Sequence, residues 1–351
     1  MKMKKLFALL SITLFAFSGC SSDYEVLKSF GSVILTADSS TRAVGETITF
    51  SVKDDTGEIL TPDAVFYVDG KAIKGNALTS GTIGTYIVTA TYQGVTSDPV
   101  TVRFHDGSET NFVKRLLIED YTGTWCGYCP RVAFAIEQVH LQTDNIVSVG
   151  IHRANSNTSS ATYDPYNYDS SALEKLLKIA GYPKGMLNRN TQWLSPEPNN
   201  ISQAIALTQG DNPKLGLALT PAVSGGNLSL NVNVKFSGNF TGLKLVVYVI
   251  ENGLIHDQHN YTDFYNGDDI IANYTHNHVL RACLTPLLGE DVSDTETVVG
   301  NTFTKSFSAS LPANVANAAN VEFVAFIVDA NGKALNVRKA APGETQTFEE
   351  L

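Results

Sequence analysis

Apolar and polar residues alternate with period two through Thr47-Ile48-Thr49-Phe50-Ser51-Val52, as a half-buried strand requires. Short runs rich in Val, Ile, Thr, Tyr and Phe recur at residues 33–36, 64–68, 71–73, 85–92 and 99–104, and Asp54-Asp55-Thr56-Gly57, Asp69-Gly70 and Gln93-Gly94 supply turns between them. Residues 30–105 are therefore expected to form a small all-β sandwich. The pattern then changes. Phe112, Val113, Leu116, Leu117 and Ile118 make a strand-like approach to a loop, after which Ala133, Phe134, Ile136, Val139 and Leu141 recur at helical spacing. Residues 146–152 predict a short apolar strand, Ser171-Ala172-Leu173-Glu174 a capping box whose helix stops at Gly181, 184–193 a strand and hairpin, and 200–209 a last helix. Residues 110–211 thus predict a mixed α/β domain with a long polar loop at 153–169, and such loops are often functional. Strand-like runs return at 215–221, 228–236, 243–251, 302–309 and 321–329, with Asn331-Gly332 turning into 333–337. A second β-sandwich is expected over 212–351, interrupted by an excursion at 252–275.

The first residues follow a different logic. Lys2, Lys4 and Lys5 precede an apolar run at 6–17, the plan of a secretory leader and too short to span a bilayer as a helix. It ends Phe17-Ser18-Gly19-Cys20, which resembles the lipobox of bacterial lipoproteins. The resemblance implies a signal peptide at 1–19, a lipidated Cys20, a linker at 20–29, and, since residue 21 is Ser rather than Asp, an outer-membrane address with the facing side open. Export permits disulfides. Composition adds bounds: of 351 residues 43% are hydrophobic and 17% charged, which allows sizeable cores and disfavours wholesale disorder. The net charge is −10 with no basic patch, which argues against a nucleic-acid partner.

The candidate chemistry lies in Asp120–Arg131 and centres on Cys126-Gly127-Tyr128-Cys129. A cysteine at a helix N-terminus, where backbone N–H groups and the helix dipole favour a thiolate, can have its pKa lowered to roughly 3.5–7.5. A second cysteine three positions on can resolve a mixed disulfide formed by the first. Half of a zinc site is the competing reading, but no second CxxC supplies the remaining ligands, so no metal is expected. Cys283, in an apolar setting, reads as a core residue.

With Trp125 before the first cysteine, Asp120 six residues upstream and Gly181-Tyr182-Pro183 further on, the motif resembles that of the thioredoxin superfamily. The resemblance implies that Cys126 and Cys129 pair with each other. It further implies that Cys126 attacks, Cys129 resolves, Asp120 assists Cys129, and Pro183 offers backbone to a bound polypeptide. Trp125, Tyr128 and Tyr182 would shape the contact surface, with His152 and Arg189 as weaker candidates for lining it. No cofactor is expected. The 30–105 module resembles bacterial immunoglobulin-like modules without their antibody-type cysteines. The whole is expected to be a multidomain α/β plus all-β chain: an immunoglobulin-like sandwich, a thioredoxin-like domain and a C-terminal sandwich.

A narrower likeness comes from the ED-Y-TG-x-x-C-x-x-CP run, Asn188-Arg189, Glu251-Asn252 and His276-Asn277-His278-Val279-Leu280-Arg281. Over 110–351 these resemble the outer-membrane-protein-28 family of Bacteroidetes lipoproteins. The excursion's His256, His259, Tyr261, Tyr265, Asp268 and Asp269 specify no tetrahedral metal set and read as an aromatic loop packed on its neighbour. Two functions follow. One is a lipid-anchored thiol–disulfide oxidoreductase acting on exported protein thiols or disulfides, or on a redox partner protein. The other is a surface adhesion or interaction lipoprotein with a static disulfide. Exposure of Cys126 favours the first and burial the second.

Overall fold

The structure is a computed structural model describing residues 31–105, 110–153, 155 and 157–351. The leader, Cys20 and the linker lie outside the described residues. Thr47–Asp54 alternates buried and exposed positions along its whole length, as its sequence dictates. With Val33–Ala37 and Ala77–Thr79 it forms a three-stranded sheet. A second sheet, built around Gly84–Tyr92 and Val100–His105, shares its core: Leu35 and Phe50 from one side meet Phe66, Val88 and Phe104 from the other.

The remaining chain is organised by one nine-stranded sheet. Its order is Thr191–Gln192, Lys184–Leu187, Leu116–Thr122, Ile146–His152, Val279–Cys283, Lys244–Glu251, Val321–Val328 and Ala334–Ala340, with Glu290–Asp291 also pairing to Lys244–Glu251. Successive side chains point to opposite faces. Leu117, Tyr121, Val147 and Val149 therefore join Tyr248, Leu280, Val324 and Phe326 in one core, beside Leu173 of helix α2 (Ser171–Leu177). On the opposite face Leu116, Ile118 and Ile146 pack on α1 (Pro130–His140) and α3 (Ile201–Leu207). Further along that face, Leu245, Val247 and Phe323 pack on a three-stranded sheet of Leu215–Ser224, Asn227–Phe236 and Thr302–Ser310.

This arrangement corrects the expected fold class. The described chain is mostly strand, with three α-helices, and no thioredoxin-like α/β domain is closed off between two sandwiches. The reason is an edge. Ile146–His152 is buried on both faces, and its free side is taken by Val279–Cys283 through the Gly150–Val279 pair, so the sheet continues into the C-terminal strands. Buried polar groups lock the two halves: Arg189 Nε donates to Glu119 Oε1 at 3.0 Å, and the Tyr248 hydroxyl donates to the same oxygen at 2.9 Å. Removing one partner of such a pair costs about 3–5 kcal/mol.

Candidate functional site

Helix α1 starts at Pro130, which needs no N–H partner in the first turn, and Cys129 is its N-cap. Cys126 therefore lies one turn before the helix rather than at its first residue; the Cys129 N–H donates to the Cys126 carbonyl at 3.1 Å. Cys126 and Cys129 form a disulfide. Both are buried, Cys126 at 5% exposure and Cys129 at 1%, and the burial of Cys126 is the outcome that favours a static bond.

Asp120 sits in the Leu116–Thr122 strand and shares with Cys129 a cavity of about 60 Å³, lined also by His152, Gln258, Tyr274 and His276. Asp120 Oδ1 is buried without a hydrogen-bond partner. Burial, reinforced by the charge of Glu197 and opposed by Arg131, pushes its pKa well above the usual carboxylate range. The Asp120 carboxyl thus lines the same cavity as Cys129 with its neutral form favoured.

Trp125 stacks on Tyr182 with centroids 6.2 Å apart, which brings the loop of Pro183, whose Tyr182–Pro183 bond is cis, beside the motif. The Tyr182 hydroxyl is held by Glu174 of α2 at 2.7 Å, and Arg153 lies over its ring. Tyr128 is exposed at 54% and meets the ring of Tyr261 edge-on. His152 is buried, its Nδ1 2.8 Å from Asp164 Oδ2, so it reaches the cavity but not the surface. Arg189 lies instead in the Glu119–Tyr248 network and is not among the residues lining that cavity.

Sequence reasoning passed over three residues. Asp164 accepts from the Thr124 N–H at 2.7 Å and so pins the 153–169 loop to the approach to Cys126; its only local signal is the Asp164-Pro165 turn pair. Although burial opposes it, His152 and the N–H groups of Thr124 and Tyr166 hold its carboxyl below the usual range. Glu174 supports Tyr182. Gln258, which has no sequence signal, donates to the carbonyls of Gly123 at 3.2 Å and Cys126 at 3.1 Å. Cys283 is free and half-buried, and burial pushes its thiol up to about 11, out of reach of nucleophilic work at neutral pH.

The family motif residues beyond the cysteines have structural work. Asn252 accepts from the His278 N–H and donates to Glu322, and Glu251 pairs with Arg281 while accepting from the N–H groups of Ala316 and Asn317. They fix the root of the 254–276 excursion and the strands around it. The outer membrane protein family Omp28 matches the chain over residues 170–346. This chain belongs to the Omp28 family. The matched stretch contains Pro183, Arg189 and the excursion but begins after Cys126 and Cys129, so membership in Omp28 says nothing of the disulfide. Among solved structures, HBP35 of Porphyromonas gingivalis is similar at 18% identity and a TM-score of 0.51, over 67% of this chain and 79% of that one, a likeness of fold. Domains 4–9 of the surface layer protein SbsC match at 12% identity over 91% of this chain and 51% of that one, with a TM-score of 0.18 that carries no argument. No curated protein matches. Among the described residues no cluster of His, Cys, Asp or Glu is arranged to hold a metal, and no helix is long and apolar enough to cross a membrane.

Proposed function

We propose that this Omp28-family chain performs thiol–disulfide exchange on exported polypeptides through Cys126 and Cys129, held at the outer membrane by a lipid on Cys20. The observation that carries this is Asp120. An unpartnered buried carboxyl costs about 1–3 kcal/mol, and a static disulfide has no use for it. Exchange has one, because Cys129 leaves the disulfide as a thiolate and must be protonated. Perturbed carboxyls of this kind gather at working sites. The family match supports the outer-membrane address, and loss of a palmitate-analogue label in Cys20→Ala tests the anchor.

The second reading, an adhesion or interaction protein with a fixed disulfide, is favoured by the 5% exposure of Cys126. The reduction potential of the pair separates the two. A value of about −270 to −120 mV belongs to exchange, and one below about −300 mV with Cys126 unreactive belongs to a staple.

A further inference from the structure

The excursion at 254–276 is a hairpin standing outside the large sheet: Leu254–His259 and Ile270–His276 pair only with each other. Its tip lies on the disulfide loop. The His259 N–H donates to the Thr124 carbonyl at 2.9 Å and the Tyr261 N–H to the Gly127 carbonyl at 2.6 Å. Donors two residues apart thus reach two carbonyls of the disulfide loop from one extended segment. The Tyr261 ring covers Gly127 so closely that a Cβ there would stand 2.2 Å from it. Phe264 stacks on Phe134 of α1 with centroids 4.4 Å apart, and the Tyr265 hydroxyl donates to Glu137 at 2.8 Å. The Gln258 amide closes the inner side of the loop.

We propose that this hairpin occupies the face on which an extended client polypeptide lies, and that polypeptide clients reach Cys126 only when it is displaced. The inference rests on the exchange reading. It explains how a buried Cys126 and a costly Asp120 coexist: the site is built for chemistry and is closed at rest. The exchange needs no further reactant. A client thiolate attacks Cys126 Sγ, the bond to Cys129 Sγ breaks, and a second client thiolate then displaces Cys126. The client gains a disulfide, and the two protons its thiols shed end on Cys126 and Cys129.

The test compares the oxidised full chain with its Tyr261→Ala/Phe264→Ala variant, using glutathione and a reduced, unfolded polypeptide with two cysteines as probes. Loosening the hairpin raises the open population, and about tenfold faster reaction with the polypeptide is expected, with at most about threefold for glutathione. An equal gain for both probes, or none for the polypeptide while glutathione still reduces the pair, overturns the gate and leaves the exchange reading standing. A pair that neither glutathione nor dithiothreitol reduces in either protein overturns the exchange reading and the gate with it. Hydrogen exchange on the unmutated chain gives a second measure: the His259 and Tyr261 amides should exchange by local opening, faster than those of Leu116–Thr122. Exchange of all of them at one rate overturns the proposal.

Discussion

Asp120 and the pair His276 and His278 respond to pH in opposite senses. Asp120 has a raised pKa in the folded chain, so its contribution is fully present below the unfolded-chain value of 3.8 and is lost as pH rises through the folded value. Asp120→Asn, neutral throughout, should therefore be more stable than the parent at pH 7, by about 1–3 kcal/mol, with the gap closing in acid. It should also slow reduction of the disulfide at every pH. His276 and His278 behave conversely. Burial, with His152 beside the first and Lys339 beside the second, lowers them to about 3 and about 4. Both stay neutral when folded, whereas the unfolded chain takes up protons below 6.5. Their contribution, on the order of a few kcal/mol, is complete above that pH and lost on acidification. Denaturant titrations between pH 7 and 4 should show this slope, and His276→Gln should flatten it. Asp120 and Trp125 could be singled out because they sit at fixed distances from the cysteines, and Pro183 because its Gly181-Tyr182-Pro183 run follows a helix and precedes a strand-like run. Gln258 was not, because its partner Cys126 lies 132 residues away and nothing local marks it.

Most elements were legible where one face is buried. Thr47–Asp54 and Ile146–His152 lie where their apolar patterns put them. Ends were less so: α2 is capped by Ser170 rather than Ser171, and it stops at Lys178 in the left-handed region rather than at Gly181. The 254–276 hairpin read as a loop for a physical reason. Its strands pair with no strand of the large sheet, and with Ile255, His256, Asp257 and His259 all exposed period two never develops. In the 153–169 loop one side chain makes several of the anchoring bonds. Asp164→Ala removes hydrogen bonds to His152, Thr124 and Tyr166, and charge-assisted bonds contribute about 1.5–3 kcal/mol each. Limited proteolysis should then cut within 153–169 before any other segment. An unchanged cleavage order would mean that the loop is held elsewhere.

At the scale of the whole molecule, alternation tells a segment that it is a strand but not which strand will lie beside it, and so a sheet with strands from both 110–211 and 212–351 was not legible. Ile146–His152 and Val279–Cys283 meet through one parallel pair, Gly150 with Val279, and the Gly150 N–H donates to the His278 carbonyl at 2.8 Å. Nothing in either segment announces the other. Cutting the chain at 211 should therefore expose the edge of Ile146–His152 together with the apolar face of Leu117, Tyr121, Val147 and Val149, and it would strand Glu119 and Arg189 without Tyr248. Residues 110–211 made alone are expected to aggregate or to lack a cooperative transition, whereas 110–351 should unfold in one step. Urea melts followed by tryptophan fluorescence distinguish these outcomes, since Trp193 is fully buried beneath α1 and α3. A sharp, reversible transition in the 110–211 fragment would show that its half of the sheet closes without the C-terminal strands. The continuity of the sheet would then be an association between two domains rather than the condition for folding either.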